Sequence, residues 1–443
     1  MTVEGVRSRL VRGGISAFKL ALASSFVIGL AGCGASSLNP FEKEETKLPG
    51  ERIAIIPDQD YKPETSRSVS LPAARANSAW PQPGGSASNS LGHLALAPNL
   101  SKRWEVSIGA GSSKHGRLSA VPIVYGDRIY TLDAEGTVSA FSASSGGKIW
   151  SATTTPENES GSEGFGGGLA MDSGRLYATT GFGTVVAFDA GSGAIAWTTR
   201  TGKPIRSSPT VANGKIFFVS TDSVVHCLSA SNGAEVWNQH GLPEPASLLS
   251  NASPAVSGNT VVAAFPAGDL GAFQVGNGKP QWTESLSSRS STTASGMLAD
   301  PARPVIDQGI VFGVSHGGRM LASSLSSGAR RWSKTIASTQ MPWPAGDAVF
   351  VVDVHGKLLA LSRSDGAIRW VSELPKSSHW SGPVLAGGRL WLVSSEGLLV
   401  GADARTGQVA TEINLEQTVL IAPIVVSGRM YILTDEAELI ALG

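Results

Sequence analysis

The sequence predicts an all-β fold: an eight-bladed β-propeller of four-stranded antiparallel blades, with the last blade closed by an N-terminal strand. Three observations predict it. A tryptophan recurs four residues after a glycine in a repeating unit. Each unit contains short apolar runs separated by glycine turns. The C-terminus stops one strand short of a complete unit.

The tryptophans set the period. Trp150, Trp197, Trp237, Trp282, Trp332 and Trp370 follow Gly146, Gly193, Gly233, Gly278, Gly328 and Gly366. The spacing is roughly 40 to 50 residues, as expected of propeller blades. The next unit keeps Gly407 but has Thr411 in place of the tryptophan. Within one unit, Pro209-Thr210-Val211 reads as a short strand, and Asn213-Gly214 as a hairpin turn. Asn-Gly is a strong hairpin signal because both turn residues need positive φ. Lys215–Val219, Val224–Leu228 and Ala234–Trp237 supply the other three strands. Such a sheet buries its faces only against neighbouring sheets, which demands a ring. The tryptophan of the outer strand is expected to pack on the adjacent blade.

The blade count rests on the incomplete last unit. Residues 422–443 hold only three strands. Arg103-Trp104-Glu105-Val106 reads as a fourth strand with no unit before it. Pairing the two completes a blade and leaves the ring without an open end. Seven whole units and one composite make eight blades.

The N-terminus reads as export signal rather than fold. Arg7, Arg9, Arg12 and Lys19 precede an apolar run from Leu20 to Leu30. A membrane-spanning helix needs roughly twenty apolar residues. The run is shorter and reads as a signal h-region. Leu30-Ala31-Gly32-Cys33 resembles the lipobox of bacterial lipoproteins, in which the cysteine is lipidated. The expected divisions are therefore 1–32, lipoprotein signal peptide; 33–79, lipidated flexible tether; and 80–443, propeller. The only other cysteine, Cys227, lies in the apolar stretch Val224–Leu228 and is expected to be a buried, inert thiol.

Composition narrows function. The 35 basic and 35 acidic residues balance, so no strong field draws the chain to nucleic acid or an acidic lipid surface. The sequence carries no nucleophile elbow, phosphate loop, dinucleotide fingerprint or histidine–carboxylate metal spacing. His316 and His355 share a repeat position with Glu135, Phe182 and Glu396, which reads as a solvent-facing turn. Gly161 to Gly168 reads as an inter-blade loop. Function is expected on the loops between blades. Two stand out: His240 to Asn251, containing Leu248 and Leu249, and Glu284 to Arg303, containing Asp300. Leu248 and Leu249 either form a partner surface or cap the ring core.

The unit Phe188-Asp189-Ala190-Gly191-Ser192-Gly193-Ala194-Ile195-Ala196-Trp197 resembles the repeat of pyrroloquinoline-quinone enzymes, which identifies fold better than function. The whole arrangement, including Trp80-Pro81-Gln82-Pro83-Gly84-Gly85 and the strand at Trp104, resembles the BamB-type lipoproteins of the outer-membrane β-barrel assembly machinery. The resemblance implies a non-catalytic periplasmic scaffold without cofactor or metal, a monomer within a complex. It would bind the periplasmic POTRA domains of BamA and assist nascent outer-membrane proteins in folding and insertion. The family's partner contacts map onto Leu248, Leu249 and Asp300, although Leu249 stands where an arginine is expected. Gly34 after Cys33, in place of the aspartate that retains lipoproteins at the inner membrane, implies the periplasmic face of the outer membrane. The competing readings are a quinone-dependent dehydrogenase and a cell-wall- or sugar-binding propeller.

Overall fold

The computed structural model describes residues 58–114, 116–241, 252–287 and 301–443. Cys33, Leu248, Leu249 and Asp300 lie outside the described residues. The described residues form eight four-stranded antiparallel sheets. Blades one to seven take residues 123–153, 167–200, 210–240, 255–285, 305–334, 343–373 and 380–414. Blade eight combines residues 424–442 with the N-terminal strand Lys102–Ser107, which pairs antiparallel with Glu438–Leu442. The expected composite blade is therefore formed, with Trp104 opposite Ala441.

The repeated glycine and tryptophan form one device. The Trp150 ring of blade one lies where a Cβ on Gly193 of blade two would sit, 2.6 Å away. The same relation links Trp197 to Gly233, Trp237 to Gly278, Trp282 to Gly328, Trp332 to Gly366 and Trp370 to Gly407. Trp104 of blade eight covers Gly146 of blade one, which carries the device across the closure. Indole N–H groups add bonds to carbonyls of the next blade: Trp150 to Ala190 at 3.1 Å, Trp237 to Val275 at 3.0 Å and Trp332 to Arg363 at 2.9 Å. The outer strand bulges beside each of these positions, and a small residue lies opposite, as with Ala140 facing Trp150. The bulge re-aims the side chain towards the neighbour. In blade seven, Thr411 leaves a gap beside Gly401. Trp391 of the second strand fills it, within 3.0 Å of a Cβ built at Gly401.

Residues 77–97 run once around the ring axis and bond to every blade in turn. Asn77 donates to the Val425 carbonyl of blade eight at 2.7 Å. Trp80 exchanges two backbone bonds with Val124 of blade one. Pro81 accepts from Met171, and the Gln82 amide pairs with both backbone groups of Val211. Ala87 accepts from Val256 and Ser88 from Ile306. Gly92 accepts the Trp343 indole of blade six at 2.7 Å. Leu94 donates to Leu385, and Ala97 donates to Gly428 in blade eight again. The inner strands face the axis with unpaired backbone groups, and this lap satisfies them. Blade six is the informative exception. Its inner strand Trp343–Ala345 carries Pro344 at the middle position, which has no N–H to donate, and the bond comes from a side chain instead.

The described part of the expected tether, 58–79, is also bonded to the ring. Glu64 accepts from Lys334 at 2.6 Å and donates its backbone N–H to Ile368 at 2.7 Å. Lys357 binds Asp58 at 2.7 Å, and Arg369 donates to the Ser68 carbonyl at 3.0 Å. This strap covers the outer strand of blade six. Ile368 there is 5% exposed, whereas Ile149 and Ile195 on the outer strands of blades one and two are 44% and 54% exposed.

Candidate functional site

The connections between blades all leave from one face. The residue following an outer strand donates to the turn between the second and third strands of its own blade. Thr154 bonds Gly136, Thr201 bonds Gly183 and Leu374 bonds Gly356, at 2.9, 2.8 and 3.1 Å. Gly241 bonds Ser223 and Leu286 bonds Gly268, each at 2.7 Å. These last two residues are the departure points towards 242–251 and 288–300. The chain re-enters at Ala252, and at Pro301, which bridges Ser315. The flanks of both predicted partner loops therefore sit on the same face, in consecutive blades. The side chains of Leu248, Leu249 and Asp300 are outside the described residues.

The turns on this face are built by side-chain capping. Asp133 Oδ1 accepts from the N–H groups of Glu135 and Thr137, and Asp353 Oδ1 from those of His355 and Lys357. Glu135, His355 and Glu396 are exposed, in keeping with a solvent-facing position, while Phe182 and His316 are partly covered. Burial lowers the pKa of His316 below the ordinary histidine value. His316 and His379 line a polar cavity of about 320 Å³ with Asp353, Gln340 and Ser338. Gln340 lies 3.2 Å from His379 Nε2. Burial raises the Asp353 carboxyl and lowers His379. No group of three or more His, Cys, Asp or Glu side chains able to hold a metal is found among the described residues.

A second cavity of about 110 Å³ lies at the ring axis on the same side as the connections. Its lining includes the residues immediately before the prolines at the entrance to the inner strands: Val121, Arg303, Met341, Gly382 and Ala422. Trp80 and Pro83 of the lap also line it, with the Trp80 ring 6.3 Å from that of Trp343. Sequence reasoning passed over Arg303. The available signal is its position: Ser208 and Ser253 fill the same pre-proline place in blades three and four, and Arg303 is the one charged residue there.

Cys227 is fully buried, and burial pushes its thiol up to about 12, so it stays protonated and unreactive at neutral pH. The 161–168 stretch joins blade one to blade two. Arg206 holds it, 3.6 Å over the Phe165 ring and bonded to the Phe165 carbonyl at 2.5 Å.

These features define a closed propeller whose blades carry the repeat of pyrroloquinoline-quinone enzymes and whose inter-blade connections gather on one face. The model of the family "outer membrane protein assembly factor BamB" matches residues 94–164, 134–372 and 370–443, and the chain belongs to that family. A BamB of Nitrosomonas eutropha is 25% identical over 245 residues, 55% of this chain and 57% of that protein. The match to the Bordetella pertussis BamB is also 25% identical and spans 61% of its length, so the chain covers less than two thirds of either relative. The Salmonella typhimurium BamB is 24% identical over 76% of this chain and 88% of its own. Among solved structures, BamB from Moraxella catarrhalis aligns with a TM-score of 0.65 at 18% identity, over 78% of this chain and 97% of that one. A quinohemoprotein alcohol dehydrogenase from Comamonas testosteroni aligns with the same TM-score at 13% identity, over 83% and 81%. At these identities the two structures speak for the fold alone.

Proposed function

We propose that this protein is a non-catalytic periplasmic scaffold of the outer-membrane β-barrel assembly machinery. It is held at the outer membrane by a lipid on Cys33 and binds the periplasmic domains of BamA through the loops that carry Leu248, Leu249 and Asp300. The observation that carries the reading is the family match running from residue 94 to the C-terminus. The placement of the loop flanks is consistent with it. A rigid ring presents two adjacent loops on one face, and a lipid confines that face to the membrane surface, which raises the effective concentration of the partner. Assistance to nascent barrels then follows from positioning.

The dehydrogenase reading draws on fold likeness alone. The chain has two cysteines, at 33 and 227, so it lacks the adjacent pair common in such enzymes. Co-purification tests the scaffold. Leu248→Glu combined with Asp300→Arg is expected to lower BamA recovery from solubilised membranes at least tenfold, with the ring still folded by circular dichroism. Unchanged recovery would overturn the loop assignment.

A further inference from the structure

Arg303 is a cation with no ion-pair partner among the described residues. Its Nε is buried and makes no hydrogen bond. Burial lowers its pKa to about 10, and no carboxylate among the described residues offsets it. It is still charged at neutral pH. A charge held largely away from water is costly unless paired, and a buried donor left unsatisfied in a native fold calls for a missing partner. Two other largely buried arginines show the usual solution: Arg369 binds Asp347 at 2.8 Å, and Arg363 binds Asp307.

We propose that Arg303 makes the axial cavity a binding site for a carboxylate group, whose apolar body would rest against Trp343, Val121 and Ile421. The planar guanidinium presents a two-pronged donor edge that matches a carboxylate. One guanidinium balances one negative charge. A phosphate dianion would leave one negative charge uncompensated. Thr339 and Ser119 line the same cavity and offer hydroxyl groups, while Gln340 already donates to Thr339 and contacts His379. The lap closes the cavity with Trp80 and Pro83. A ligand would therefore enter from the connection face. The carboxylate would come from a free organic acid or from an aspartate or glutamate side chain of a protein segment.

The full-length protein can be titrated at constant ionic strength with sodium isobutyrate, N-acetyl-aspartate N-methylamide and sodium phosphate. Thermal unfolding and the ¹⁵N signal of the Arg303 Nε–H are followed. At least one carboxylate is expected to shift both readouts saturably, and phosphate to shift neither. Arg303→Met should weaken the carboxylate response at least tenfold, with Arg303→Lys in between. Tighter binding of the blocked aspartate would identify a protein side chain as the source, and tighter binding of isobutyrate a free acid. The site is refuted if the Nε–H signal does not move with either acid, if Arg303→Met responds as the wild type does, or if phosphate matches the carboxylates. The Nε–H readout needs no variant, so a misfolded Arg303→Met would not rescue the idea.

Discussion

At Gly193 two separate demands meet. Its φ is +76°, a region that disfavours side chains, and its missing Cβ is the space the Trp150 ring occupies. Gly202 has a nearly identical φ of +77° but open space around it. The pair separates backbone strain from packing. Gly202→Ala is expected to cost about 1–2 kcal/mol from the left-handed conformation alone. Gly193→Ala should cost about 1–3 kcal/mol more, because the indole must move. Urea unfolding of the two variants measures the difference, and equal losses would show that the ring accommodates a methyl group. Thr411 and Trp391 make the same point from the other side. Where blade seven has Thr411, an indole still packs there, but it is Trp391 of the second strand, lying over Gly401 of its own blade.

The lap and the strap act as elements, and neither has a regular hydrogen-bond ladder of its own. The lap's stability comes from the blades' axial edges, so its weak points are its buried side-chain bonds. Gln82 is 4% exposed and satisfies both the N–H and the C=O of Val211. Gln82→Ala leaves both groups unpaired beside the axis. The expected loss is about 1–3 kcal/mol, read from the urea midpoint, with faster hydrogen exchange of the Val211 amide. Exchange at Val211 that matches the wild type would mean water replaces the glutamine without cost. His93 ties the lap to the strap and blade seven at once. Its Nε2 accepts from the Gly388 N–H at 2.9 Å, which leaves Nδ1 to donate to the Pro72 carbonyl at 2.7 Å.

Across the whole molecule, blade contacts are apolar on the faces and polar on the connection side. His316 and His379 belong to that polar seam between blades five, six and seven, and burial depresses both below the ordinary value of 6.5. The unfolded chain therefore takes up these protons first as pH falls. The stability they contribute is complete above about pH 6.5 and is lost as pH falls through their lower folded values. The urea midpoint of the wild type should drop between pH 7.5 and 5, and the drop should shrink in a His316→Gln, His379→Gln double variant. An unchanged drop would assign the acid sensitivity to other groups. Glu396, held down to about 2 chiefly by its bond from Ser377, stays ionised across that interval and does not confuse it.

The repeat spacing by itself determined the blade count, the place of closure and the docking role of the tryptophans, because each is a local pattern read against a fixed period. It also marked the loops containing Leu248, Leu249 and Asp300, since their length breaks that period. The path of residues 77–97 was not legible. Its bonds reach residues up to 348 positions away, and Trp80-Pro81-Gln82-Pro83-Gly84-Gly85 has no periodicity to betray them. The strap was hidden for the same reason: a polar, proline-rich segment reads as tether until Lys334, Lys357 and Arg369 are placed beside it. Arg303 lay between these cases. Its charge among small and apolar pre-proline residues was visible in the sequence. Only the tertiary structure decided that it stands at the axis with no ion-pair partner among the described residues, because a partner is a property of everything folded around a residue and not of the residue itself.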